Sequence, residues 1–302
     1  MTVPAPAASV DPITAGARPA TTAGEERAAQ RDRLRLLLRS KVFIAGSLIV
    51  LFWVMCAIFG EALAPDDPFA TDPLDDLASP SSDHWFGTDR LGRDVLSRVL
   101  VGARDILIVA PLATVLATVL GTALGLVTGY FGGVVDNVLS RFIDAFLALP
   151  IIIIGMLAIV SLGPSMGTVI VVIGLVFAPV IARTVRAAVL QEREMEYVSA
   201  AQLRNERISY ILFAEILPNV MGPVMVEFTV RLGYAIFTAA TLSFLGFGIQ
   251  PPSPDWGLQV FEHYGLISGG YWWPVLFPAL AIASLVIGVN MMADGIAKAF
   301  ER

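Results

Sequence analysis

Charge is scarce in this chain of 302 residues. Asp, Glu, Lys and Arg together make up 15% of it, against about 25% in an ordinary soluble domain. Lysine is scarcer still: the chain has only Lys41 and Lys298, and neither follows a glycine. A P-loop needs Gly-Lys-Ser/Thr so that the lysine reaches the β- and γ-phosphates, so this chain does not bind ATP in that way. The histidines are His84 and His263, with no His-Glu-x-x-His and no cysteine pair. No metal site, no cofactor site and no catalytic residue is expected, and the chain does not read as an enzyme. The single cysteine, Cys56, lies within an apolar run, which excludes an internal disulfide and suits a small apolar filler. The formal net charge of −6 says little by itself, because the charges are split by location. No nucleic-acid partner is expected.

Apolar residues make up 56% of the chain, and mean hydropathy is +0.74. Continuous apolar runs near the ~20 residues that cross a bilayer recur along the sequence. Barrel strands would instead alternate over about ten residues. The fold class is therefore an all-α polytopic membrane protein. Six transmembrane helices are placed at Val42–Ala64, Ile106–Tyr130, Phe142–Leu162, Gly167–Ala188, Val220–Leu245 and Val275–Phe300. Residues 1–40 read as a disordered, basic cytoplasmic tail, and residues 41–302 as the membrane domain. The run after Lys41 exceeds the 7–15 residues of a signal-peptide core and starts far into the chain. It reads as a retained first span.

Arg31, Arg33, Arg35, Arg39 and Lys41 precede span one, and Arg193, Arg204 and Arg207 lie between spans four and five. The positive-inside rule puts both termini in the cytoplasm. The outer loop over residues 65–105 then begins as a Pro- and Asp-rich extended stretch. From Asp89 onward, Leu91, Val95, Leu96, Val99 and Leu100 recur at helical spacing, as in an amphipathic helix on the outer surface. A second outer loop covers residues 246–274, where Gly246, Gly248, Pro251, Pro252 and Pro254 cannot continue a helix. Trp272 and Trp273 there suit interface anchors.

Residues 189–219 form a polar island between two spans. The sequence predicts a short helix over Glu196–Leu203, an end at Asn205 in the left-handed region, and a second short helix stopped by Pro218. Within span five, Glu227 and Arg231 sit four apart in the favourable order. Intramembrane charges of this kind face protein or water, so the two are a candidate pathway pair or a structural one. Gly121, Gly125 and Gly129 have small-xxx-small spacing, suited to close packing against a second permease.

Glu196-Tyr-Val-Ser-Ala-Ala-Gln-Leu-Arg-Asn205, ending in Ile216-Leu-Pro218, resembles the EAA loop of bacterial ABC importer permeases. Ser199 and Asn205 stand where that pattern has glutamate and glycine. His84-Trp-Phe-Gly-Thr-Asp89, Leu91-Gly-Arg-Asp-Val-Leu-Ser-Arg98, Gly129-Tyr-Phe-Gly-Gly133 and Leu242-Ser-Phe-Leu-Gly-Phe-Gly-Ile-Gln-Pro-Pro252 resemble the C-type subunit of the dipeptide/oligopeptide/nickel permeases.

The resemblance implies a type I ABC importer permease fold with cytoplasmic coupling helices, in the bacterial cytoplasmic membrane. It implies one half of a peptide translocation pathway, with ATP and Mg held by separate ATPase subunits. The partners implied are a homologous second permease, one or two P-loop ATPases, an extracytoplasmic substrate-binding protein and the lipid bilayer. Glu196, Tyr197, Ala200, Ala201, Asn205, Ile216 and Pro218 would couple to the ATPases. Trp85, Asp89, Arg93, Asp255 and Trp256 would meet the binding protein. Import of nickel, glutathione or another small solute is the rival within the family. An ion-coupled secondary transporter is the rival outside it, and would normally show internal repeats with broken helices.

Overall fold

The computed structural model describes residues 39–300. The basic tail, except Arg39 and Ser40, lies outside them. Helices dominate: α1 (Lys41–Leu63), α2 (Val95–Phe131), α3 (Gly133–Leu147), α4 (Ile151–Leu162), α5 (Met166–Glu192), α6 (Glu196–Leu203), α7 (Ile208–Tyr210), α8 (Leu217–Phe244), α9 (Trp256–His263) and α10 (Trp273–Phe300). A π-helical turn, Ile211–Ile216, joins α7 to α8. Among the described residues five helical runs are long and apolar enough to cross a membrane, or six if the bent pair α3–α4 is one span.

That pair departs from the expected straight third span. Its two arms meet at 89° across Ala148-Leu149-Pro150. Pro150 lacks an N–H to continue the helix, and its ring disfavours helical backbone at Leu149. The expected surface helix also differs. Residues 89–94 form a turn closed by the Thr88–Asp94 bridge, and helix starts at Val95 and runs unbroken to Phe131. Val95 and Val99 are buried, so this segment is the outer end of span two rather than an element lying on the surface.

The core is the contact between α2 and α5, the most extensive in the chain. Gly121, Gly125 and Gly129 make it possible. A Cβ on Gly125 would lie 2.6 Å from the Val185 Cβ, and one on Gly129 2.7 Å from that of Val189. The small-residue stripe therefore meets the chain's own fourth span, not a second permease. Arg186 on α5 forks onto Asp136 of α3 at 2.5 and 2.6 Å, holding the turn after α2.

Ser165 caps α5, accepting the Thr168 N–H at 3.1 Å. It sits in a Gly163-Pro-Ser-Met-Gly167 spacing, but a helix precedes it where a nucleophile elbow needs a strand.

The two outer loops close over the ends of α1, α2 and α10 as one cap. Asp94 caps α2 by accepting the Ser97 N–H at 2.7 Å. The fully buried Trp256 donates to the Val99 carbonyl at 2.8 Å, and Trp273 donates to that of Thr88 at 2.9 Å. Phe86 and Phe277 stack at 3.8 Å.

Candidate functional site

The coupling loop is built as a short helix with a defined stop. Asn205 takes φ of +55°. The Glu206 N–H returns to the Ala201 carbonyl and the Asn205 N–H to that of Gln202. This is the paired closure of a helix that ends in a left-handed residue, and asparagine tolerates it better than any bulkier side chain. The second helix does not stop at Pro218. The Leu217 N–H reaches back to the Leu212 carbonyl, five residues earlier, and α8 continues through the proline. A proline ring clashes with the carbonyl four residues before it, and the wide turn just ahead relieves that conflict.

The seven expected coupling residues divide by burial. Glu196, Ala200, Asn205 and Pro218 are exposed, and Tyr197 is half-buried. Ala201 and Ile216 are fully buried with Val198 and Ile211. These two anchor α6 to the foot of α8 and cannot touch a partner, because a residue that holds the loop in place has its surface already covered.

The Tyr197 hydroxyl donates to Glu192 at 2.7 Å and accepts from Asn219 at 3.1 Å. Burial, then the Glu192 carboxylate, pushes its ionisation well above the usual range. Arg193 donates to the carbonyls of Gly129 and Tyr130 at the end of α2. It ties the loop to that helix and complements its C-terminal dipole.

Sequence reasoning missed Arg193, Asn219 and the exposed apolar groups Leu203 (85% exposed) and Phe213. An isolated leucine at the tip of a polar loop was the available signal.

In the membrane, Glu227 and Arg231 form the expected i,i+4 pair at 2.9 Å. Thr184 of α5 donates to the other Glu227 oxygen at 2.9 Å, and the Arg231 guanidinium lies 5.2 Å from the centre of the Tyr234 ring.

At the outer end, four of the five expected binding-protein contacts are interior. Asp89, Arg93, Asp255 and Trp256 are buried, and only Trp85, at 68% exposed, is free. The cause is a buried ionic cluster. Asp89 accepts from Arg93 at 2.6 Å, with Arg98 and His263 within 3.9 Å. Asp255 caps α9 by accepting the Leu258 N–H at 2.9 Å. Burial pushes its carboxyl up to about 6, with Asp105 adding to the rise. Burial also lowers the proton affinity of His263.

Residues 121–302 match the family model described as the inner membrane component of binding-protein-dependent transport systems. Residues 31–80 match the N-terminal membrane domain of oligopeptide transport permease C. The chain is 38% identical over 271 residues to the dipeptide transport system permease protein DppC of Alkalihalophilus pseudofirmus, covering 90% of this chain and 89% of that one. It is 37% identical over 287 residues to the glutathione transport system permease protein GsiD of Salmonella paratyphi A, covering 94% of each. A chain of the inward-facing MetNI methionine ABC transporter superposes with a TM-score of 0.54 at 20% identity, over 68% of this chain and 97% of that one. At that identity the likeness speaks for the fold alone. The chain belongs to the binding-protein-dependent transport system inner membrane components, the multi-pass, non-catalytic permease subunits of ABC transporters.

Proposed function

We propose that this chain is half of the membrane channel of an ATP-driven importer for short peptides. It would pair with a homologous permease, take one or two P-loop ATPases on its cytoplasmic side and receive substrate from an extracytoplasmic binding protein. The observation that carries the coupling role is the division of labour in α6. Ala201 fixes the helix from within while Ala200 and Leu203 stay uncovered at its outer surface. Small and apolar groups presented together suit a groove that comes close to the helix backbone. Glu196, Asn205, Pro218 and Phe213 border that surface, and the half-buried Tyr197 supports it.

Peptide as substrate class is supported by relatives whose names specify dipeptides and glutathione, itself a small peptide. The basic residues before α1 and in the coupling loop support cytoplasmic termini. Trp85 is then the outer-loop residue best placed to meet the binding protein.

The test is purification of the tagged chain in mild detergent with identification of its companions. Recovery of a second permease and a P-loop ATPase, the ATPase lost on A200R, supports this reading. A chain that comes down alone, with uptake driven by an ion gradient and indifferent to ATP depletion, would sink it.

A further inference from the structure

Glu227 and Arg231 lie near the middle of the 28-residue α8. A charge at that depth costs several kcal/mol against lipid and is tolerated only facing protein or water. Glu227 is 15% and Arg231 18% exposed, beside Tyr234 at 55% and Phe237 at 56%. The uncovered face that carries them therefore does not turn to lipid.

Two further observations give the pair a direction. Thr184 holds one Glu227 oxygen from α5, so the carboxylate is positioned from two helices. Arg231 uses only Nε to reach Glu227. Among the described residues its two terminal nitrogens have no hydrogen-bond partner, while the flat guanidinium is steadied near Tyr234. A guanidinium with two parallel free donors matches a carboxylate.

We propose that Glu227 and Arg231 are a receiving pair for the two charged ends of a short zwitterionic peptide, on the translocation face of α8. This rests on the peptide-importer reading above and adds which atoms meet the cargo. The peptide carboxylate docks on the two terminal nitrogens of Arg231. The ammonium end takes the Glu227 oxygen that Arg231 releases, while Thr184 keeps the other. Before and after passage the pair neutralises itself, so no lone charge is left in the membrane. The exposed Tyr234 and Phe237 offer sequence-tolerant apolar surface to the side chains between the two ends.

The test reconstitutes the complete transporter, with its own partner subunits and binding protein, in liposomes. Uptake of a dipeptide is compared with that of its C-terminal amide and its N-acetyl form. Every variant uses the same binding protein, so upstream selection cancels from the comparison. E227Q/R231Q keeps a hydrogen-bonding pair without leaving a lone charge. It is expected to slow uptake of the free dipeptide about tenfold or more at subsaturating concentration. Preference over the amide and N-acetyl forms should fall toward one, with binding-protein-stimulated ATP hydrolysis retained. E227R/R231E keeps an ion pair and displaces its positive end by one turn, and should lose the same preference. Native-like preference in either variant overturns the assignment while leaving the peptide importer standing. A native transporter that imports neither free nor blocked peptides overturns both.

Discussion

Two alanines in sequence carry opposite burdens in this chain. Ala200 is exposed on α6 and Ala201 has no exposed surface, so the same substitution should fail in different ways. A200R is expected to leave the melting temperature of the purified chain within a degree or two while the ATPase no longer copurifies. A201R forces a charge among Val198, Ile211 and Ile216 and should cost several kcal/mol, read as lost expression or a lower melting temperature. Asp255 gives a second test at this scale. Its carboxyl, held at about 6 in the fold, titrates near 3.9 in an unfolded chain. The folded state binds that proton more tightly, so this contribution is complete below about pH 4 and is lost as pH rises to about 6. The full swing is on the order of 3 kcal/mol at 1.36 kcal/mol per tenfold change in proton affinity. D255N keeps an oxygen for the Leu258 N–H and removes the titration. The difference in thermal stability between native and variant chains should change sharply between pH 4 and pH 6.5 and stay flat above. A difference independent of pH would exclude a buried, titrating carboxyl.

At the scale of elements, the α2–α5 contact sets what the fold tolerates. In G125V the new side chain meets the Val185 Cβ at 2.6 Å and the Ala182 carbonyl at 2.9 Å. Overpacking of this kind costs about 1–3 kcal/mol. G167A, in the open first turn of α5 with nothing nearer than the Ser165 Oγ at 3.9 Å, should be neutral or slightly stabilising. Thermal unfolding in detergent separates the two. The helices were largely legible in the sequence, because apolar runs and their flanking turns are local signals. The stop at Asn205 and the pair Glu227–Arg231 were also legible, for the same reason. The bend at Pro150 was hidden because the residues on either side are apolar enough to read as one span. The burial of Asp89, Arg93, Asp255 and Trp256 was hidden for a different reason: it depends on residues more than 150 positions apart, and no local pattern encodes that meeting. A polar residue in an outer loop reads as surface until its distant partners are known.

For the whole molecule, the outer cap and the coupling loop mark two ends whose sidedness is open to direct measurement. Cys56 is buried, so the native chain should label slowly with a membrane-impermeant thiol reagent. W85C should label from outside intact cells, and L203C only after the membrane is opened. Labelling in the reverse pattern would invert the proposed topology. The two ends are joined by one helical run, Ile208–Phe244, of 37 residues. At 1.5 Å per residue it is about 55 Å long, well beyond a hydrocarbon core of about 30 Å. Such a rod transmits rotation as well as thrust, and the wide turn at Ile211–Ile216 sets its angular phase. A π-turn holds one residue more than an α-turn, and each residue advances an α-helix by about 100°. Deleting Ala214 would therefore leave the rod intact but turn everything beyond it by about a quarter turn. Arg231 and Tyr234 would swing away from the face they now share, while α6 would still present Ala200 to its partner. One surplus residue at the foot of the helix thus fixes which way the machine points at its centre.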